Sequence, residues 1–228
     1  MEEFNDVLLQ VDGSVATVTL NRPANRNGWT LRLGTEVGEA LAICDDDDAV
    51  RVVIVTGAGR DFCVGADLAS GEIGAPGGAF VPSGRPIISP PEMCKPVIAA
   101  INGHAVGIGV TFPMQCDIRI VAEEAKVGLP FVRRGVIAEV NGHWMLPRLI
   151  GMAAAADLLL TGRLITGREA AAIGLCSRAV PAADVLPEAR RVAEEIATST
   201  APRPTRFTDP EPSRRSSSST SSIATRTP

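Results

Sequence analysis

The chain has 228 residues, 45% of them hydrophobic, and a formal charge of -4, enough for one sizeable core with extensions. The mildly acidic balance, with its one notable run at Asp45 to Asp48, carries no basic footprint and excludes nucleic acid as the expected partner. No apolar stretch reaches the length of a membrane span and "MEEFNDVLLQVDG" lacks the basic start and apolar region of a leader, so a soluble, cytoplasmic protein is expected.

Cys44, Cys63, Cys94, Cys116 and Cys176 are scattered without a CxxC pair, each in or beside an apolar run. They read as buried free thiols of a reducing compartment, with neither a zinc site nor a disulfide framework.

In chain order, "VLLQVDGSVATVTLNRP" is two alternating runs around Asp12-Gly13, a hairpin that ends at Pro23. "TLRLGTEVGEALAICDDDD" places Leu33, Val37, Ala40, Leu41 and Cys44 at helical spacing, and the helix is expected to stop in the aspartates. "VRVVIVTGAGRDFCVGADL" opens with a β-branched run that reads as a strand covered on both faces. "SGEIGAPGGAFVPSGRPIISPPEMCKP", dense in Gly and Pro, reads as a mobile excursion.

"PVIAAINGHAVGIG" is a second apolar strand running into a glycine-rich turn and a helix, and "CDIRIVAEEAKVG" supplies a third strand. After Arg148 the chain turns helical. "MAAAADLLLTGR" is one helix, "TGREAAAIGL" carries a capping box in Thr166 and Glu169 with Gly174 as its C-terminal cap, and "DVLPEARRVAEEIATS" stripes Leu186, Ala189, Val192, Ala193 and Ile196 along one face. Strands alternating with helices through glycine-rich turns argue for an α/β layered fold.

From Ala201 the composition shifts to Pro, Ser, Thr and Arg, and such a segment buries too little surface to offset its ordering entropy. Two units are expected: a domain at 1–199 and a disordered tail at 200–228.

Two turns stand where backbone amides could face outward together as an oxyanion hole: "GRDFCVGADL" and "NGHAVGIGVT". Neither has the spacing of a phosphate loop, and tight-turn glycines are the alternative for both. "PFVRRGVIAEVNGHWMLPR" holds one carboxylate, Glu139, which is either a solvated loop charge or a general base. His104 and His143 have no third partner at triad or metal spacing and read as packing or capping residues.

"NRPANRNGW", "GRDFCVGADL", "KPVIAAINGHAVGIGV", "CDIRIVAEEAKVGLP" and "LPRLIG...A...LLLTGR...A...GL" stand in the order and approximate spacing of the enoyl-CoA hydratase/isomerase, or crotonase, superfamily, which the chain resembles over roughly residues 5 to 199. The resemblance implies a spiral of ββα units with C-terminal helices, assembled as trimers or dimers of trimers. It also implies an acyl-CoA substrate, with coenzyme A part of that substrate and no separate cofactor.

By position it assigns the amides of Ala66 and Ile108 to hold the thioester oxygen while an α-proton leaves. Many members carry glycine where Ile108 stands, so the acyl pocket is expected to be narrowed or redirected. Gly65, Asp67, Leu68, Gly107, Thr111 and Phe131 would line the substrate, and Arg26 and Asn27 would lie at the CoA nucleotide, with Arg26 a phosphate partner or a solvated charge.

Family hydratases use two glutamates at places that here hold Thr111 and Phe131, neither of which transfers a proton at neutral pH. Glu139 falls eight residues beyond Phe131, where some isomerases of the superfamily place an acid. A single-glutamate double-bond isomerase is therefore the leading expectation. A hydratase working with Glu139 alone is the second, and a non-catalytic or truncated acyl-CoA-binding paralogue the third. Family members continue into helices where this chain has its Ser/Pro/Arg tail, so weakened trimerisation is expected.

Overall fold

The computed structural model describes residues 4–71 and 86–199. The expected tail at 200–228 and most of the Gly/Pro excursion lie outside the described residues.

The hairpin forms as read. Strands β1 (Val7–Asp12) and β2 (Val15–Leu20) pair antiparallel with Asp12 opposite Val15, and Gly13 takes the left-handed φ of 57° that the tight turn requires. Helix α1 (Leu31–Asp46) is capped by the Thr30 hydroxyl, which accepts from the Leu33 amide. It ends inside the aspartate run, where the buried Lys95 ammonium donates to the carbonyls of Cys44 and Asp47 and caps it.

Strand β3 (Val52–Gly57) is buried along its whole length, as its unbroken apolar run demands. β4 (Val97–Ile101), β6 (Ile118–Ala122) and β9 (Arg178–Val180) join it in a six-stranded sheet of order β1-β2-β3-β4-β6-β9, parallel except for β1. Its aliphatic side chains form one core with α1 and with α6 (Val185–Thr198), which lies across β2, β3, β4 and β6. The buried face of α6 is Val185, Ala189, Val192 and Ala193, with Leu186 and Ile196 at its edges.

A second sheet of order β5-β7-β8 is built from β5 (Ala105–Val106), β7 (Lys126–Gly128) and β8 (Leu164–Thr166). "CDIRIVAEEAKVG" is therefore two strands rather than one. The chain turns at Glu123 and Glu124, with the Ala125 amide bonded to the Ala122 carbonyl, and passes from the large sheet to the small one.

The turn after β5 opens a single-turn helix, α2 (Ile108–Thr111). Helix α3 (Gly142–Ile150) begins earlier than the sequence suggested and carries Pro147 inside it. α4 (Met152–Thr161) and α5 (Gly167–Ala172) follow, and the Thr166/Glu169 capping box is present. Gly174, at φ 84°, lies just beyond the end of α5.

The described cysteines form no disulfide; Cys44, Cys63, Cys116 and Cys176 are buried, but Cys94 is exposed, because its segment runs over the surface between Pro90 and Val97. Among the described residues no helix is long and apolar enough to cross a membrane, and no cluster of His, Cys, Asp or Glu could hold a metal ion.

Candidate functional site

The site grows from the way the small sheet is stitched to the loop after β3. Cys63 bridges Ala105 in parallel register, with the Val106 amide donating to the Cys63 carbonyl at 3.0 Å. On its other side the same loop pairs with Trp29, whose amide donates to the Gly65 carbonyl at 2.8 Å while its carbonyl accepts from the Asp67 amide at 2.9 Å.

That pattern turns the Ala66 amide away from Trp29, and among the described residues nothing bonds it. The Ile108 amide, at the start of α2, is likewise unbonded there, since the first amides of a helix have no internal partner.

Gly65 and Gly107, the residues preceding these two amides, have φ of 107° and 59°, values that only glycine holds without strain. They also lie close together: a Cβ built on Gly107 would lie 3.7 Å from the Gly65 Cα. The two turns predicted as separate donors are thus neighbours. The Phe131 ring closes one side, with its Cζ 3.8 Å from that same Cβ position.

Two side chains brace the loop after β3: Arg22, which the sequence did not single out, and Asn27, which it placed at the CoA nucleotide. Arg22 donates to the Asp67 carboxylate at 2.9 Å and to the Gly28 carbonyl. Asn27, fully buried, donates to the carbonyls of Ala58 and Asp61 and accepts from the Arg22 amide. Arg22 is visible in "NRP", but its partner lies 45 residues away, and no local pattern announces the pair. Asp67 therefore organises its turn, and Asn27 is a structural clamp whose own φ is positive.

Arg26 is half exposed, and its guanidinium is engaged by Asp61 at 2.8 and 3.2 Å. This hydrogen-bonded pairing holds the Asp61 carboxyl below the usual carboxylate range. Leu68 is exposed at the start of a short 3-10 turn, Leu68–Ser70.

Glu139 comes to the same place from the other direction. It follows a 3-10 turn, Pro130–Arg134, and its carbonyl accepts from the Gly142 amide as α3 begins. Its carboxylate accepts from the Thr111 hydroxyl at 3.1 Å. Thr111 stands three residues after Ile108, so the carboxylate is anchored to the same short helix that begins with Ile108.

Glu139 is an exposed residue, with only part of its side chain against protein. Burial raises its pKa above the usual carboxylate value, against the lowering effect of its own backbone amide and of the Thr111 hydroxyl. Val140 and Asn141 follow with φ of 53° and 58°, a conformation that costs a β-branched residue energy and that marks functional segments more often than ordinary loops. Nothing in the sequence signals this strain.

His104 accepts the Lys126 amide at Nδ1 and His143 is exposed on α3; neither meets the Glu139 carboxylate. A cavity of about 430 Å³ lies elsewhere, among Arg60, His104, Glu123 and Arg168.

A family model described as enoyl-CoA hydratase/isomerase matches residues 10–209. Enoyl-CoA hydratase ACTT3 of Alternaria alternata is 42% identical over 197 residues, covering 83% of this chain and 67% of that protein. (E)-benzylidenesuccinyl-CoA hydratase of Thauera aromatica is 39% identical over 194 residues, covering 84% and 76%. Among solved structures, a probable enoyl-CoA hydratase/isomerase from Mycobacterium abscessus superposes with a TM-score of 0.76 at 43% identity, over 88% of this chain and 77% of that one.

Proposed function

Because the chain belongs to the enoyl-CoA hydratase/isomerase family, we propose that it binds an enoyl-CoA thioester with the thioester oxygen between the amides of Ala66 and Ile108, and that Glu139 moves the proton. The observation that carries this is the hydrogen bond between the Glu139 carboxylate and Thr111, on the helix that begins with Ile108.

An enolate forms when a base takes the C2 proton and the C–H electrons pass into the thioester carbonyl; two preorganised amides stabilise the charge that develops on oxygen. Removing one such donor costs about 2.7–4 kcal/mol of transition-state stabilisation. With a single carboxylate, the proton taken from C2 of a 3-enoyl-CoA returns at C4, and the double bond moves to C2=C3. The places of the two glutamates of family hydratases hold Thr111 and Phe131, which supports this isomerisation.

The Phe131 ring and the Ile108 side chain narrow the acyl side. Arg26 keeps guanidinium donors beyond its pair with Asp61 for a CoA phosphate.

Hydration is the second reading, favoured by the hydratase names of the relatives. Glu139 alone would then take a proton from water as it adds at C3 and return it at C2. Assembly as a trimer or hexamer belongs to the same proposal, supported by the exposed Trp144, Met152 and Leu160 on α3 and α4. The four buried reduced cysteines support a reducing compartment such as the cytoplasm.

Purified protein offered 3-enoyl-CoA and 2-enoyl-CoA separates the reactions. Conversion of the 3-enoyl substrate is the expected result, hydration of the 2-enoyl substrate without isomerisation promotes the second reading, and turnover of neither overturns the proposal.

A further inference from the structure

A general base on a loop works only if its carboxylate is held close to the productive geometry, and loops achieve that poorly unless another element grips the side chain. Thr111 is fully buried. In a helix its hydroxyl would ordinarily bond back to the carbonyl four residues earlier, which here is that of Gly107. That carbonyl already accepts from the amides of Val110 at 2.8 Å and Thr111 at 3.0 Å, and the hydroxyl instead donates outward to Glu139 at 3.1 Å.

The Thr111 methyl is pinned as well. A Cβ on Gly142 would lie 3.1 Å from Thr111 Cγ2 and 2.8 Å from Ala138 Cβ, so the start of α3 rests on α2 with no space between them. The left-handed pair Val140 and Asn141 turns the chain back to make that contact.

Resting on the assignment of Glu139 as the base, we propose that Thr111 is a positioning residue, whose hydroxyl orients the Glu139 carboxylate over α2 for proton transfer. α2 and the 3-10 turn Pro113–Gln115 after it bring no charged group to this carboxylate. Arg133, on the turn before Glu139, bonds the Thr161 carbonyl, and Arg148, on α3, stacks on Trp144. Arg134 and His143 are exposed, and no charged neighbour enters the causes that shift Glu139. Thr111 is thus the side chain that favours the ionised form, and its removal leaves burial less opposed.

The test compares wild type, Thr111→Val, Thr111→Ser and Glu139→Gln on the 2-enoyl- and 3-enoyl-CoA substrates, with folding followed by circular dichroism. In Thr111→Val kcat should fall by about 10-fold with KM changed less than about 2-fold, the size expected of one lost hydrogen bond to a charged group. The acid limb of its kcat/KM profile should move to higher pH. Thr111→Ser, which keeps the donor, should recover most of the rate even if the valine variant folds poorly.

Wild-type kcat and an unmoved acid limb in Thr111→Val would overturn the proposal, as would a serine variant that folds but is as slow as the valine one. Equal activity of wild type and Glu139→Gln instead removes the base assignment itself, and a wild type inactive on both substrates removes the proposed function.

Discussion

At the scale of the residue, the proposed chemistry rests on one carboxylate whose environment pulls in two directions. Burial raises the Glu139 pKa, so the folded state holds its proton to a higher pH than the unfolded chain does. Between those two values the folded protein binds more protons, and stability falls as pH rises through the folded pKa. Glu139→Gln, neutral at every pH, should therefore melt above wild type at neutral pH, with the gain shrinking as the pH drops through that pKa. Parallel thermal melts across pH check this, and a variant that melts lower throughout would mean that the ionised form is favoured by folding.

Glu139 stands out as the lone acid in an apolar stretch and the glycine turns as possible amide donors, but only the resemblance to the family picks out Ala66, Ile108 and Glu139 for roles. Arg22, the clamp on the Ala66 turn, was not legible, since its partner Asp67 is distant in sequence and arginine beside a proline has many uses.

At the scale of the element, the parts with strong local periodicity were legible, and the misreadings have physical causes. α3 was hidden because Pro147 sits inside it. Proline has no amide to give the carbonyl four residues back, and its presence argues against a helix until packing on α4 compensates. β6 and β7 read as one strand because both are apolar, and the change of sheet at Glu123 and Glu124 depends on a partner that only the tertiary structure supplies.

Lys95 also shows its role only in three dimensions, as the cap on α1. Lys95→Met removes two donors from buried carbonyls and should destabilise the fold by about 1–3 kcal/mol, seen as a lower Tm; an unchanged Tm would mean that solvent satisfies those carbonyls.

Val140→Gly probes the strained turn. Relief of a left-handed β-branched residue gains about 1–2 kcal/mol, and the entropy of glycine returns about 0.5–1 kcal/mol. Stability should stay within about 1 kcal/mol of wild type while kcat falls, because the turn no longer pins Glu139. A variant of full activity would assign the strain no part in placing the base.

At the scale of the whole molecule, the expectation of an α/β layered fold holds because the continuous apolar runs of β3 and β4 leave no alternative to burial on both faces. The six-stranded sheet holds the core, and the small sheet carries the two amide-bearing turns to one point. Ile98, fully buried in β4 between β3 and β6, measures that coupling. Ile98→Ala should cost about 2–5 kcal/mol, read as a lower midpoint in denaturant, whereas a loss near zero would show that the core closes around the gap.

The sequence could not reveal that the Ala66 and Ile108 turns lie close together at Gly65 and Gly107, since that approach depends on how successive turns of the spiral stack. The bond between Glu139 and Thr111, 28 residues apart, is also a property of the assembled molecule.

The most direct measurement is the exchange of the C2 proton of a 3-enoyl-CoA with heavy water, followed by NMR or mass spectrometry, for wild type and Glu139→Gln. It reads enolate formation itself, before a proton is returned at C4. Rapid exchange in wild type, slowed by about 10²-fold or more in Glu139→Gln, is the expected result. Equal exchange in the two proteins would contradict Glu139 as the base acting beneath the amides of Ala66 and Ile108.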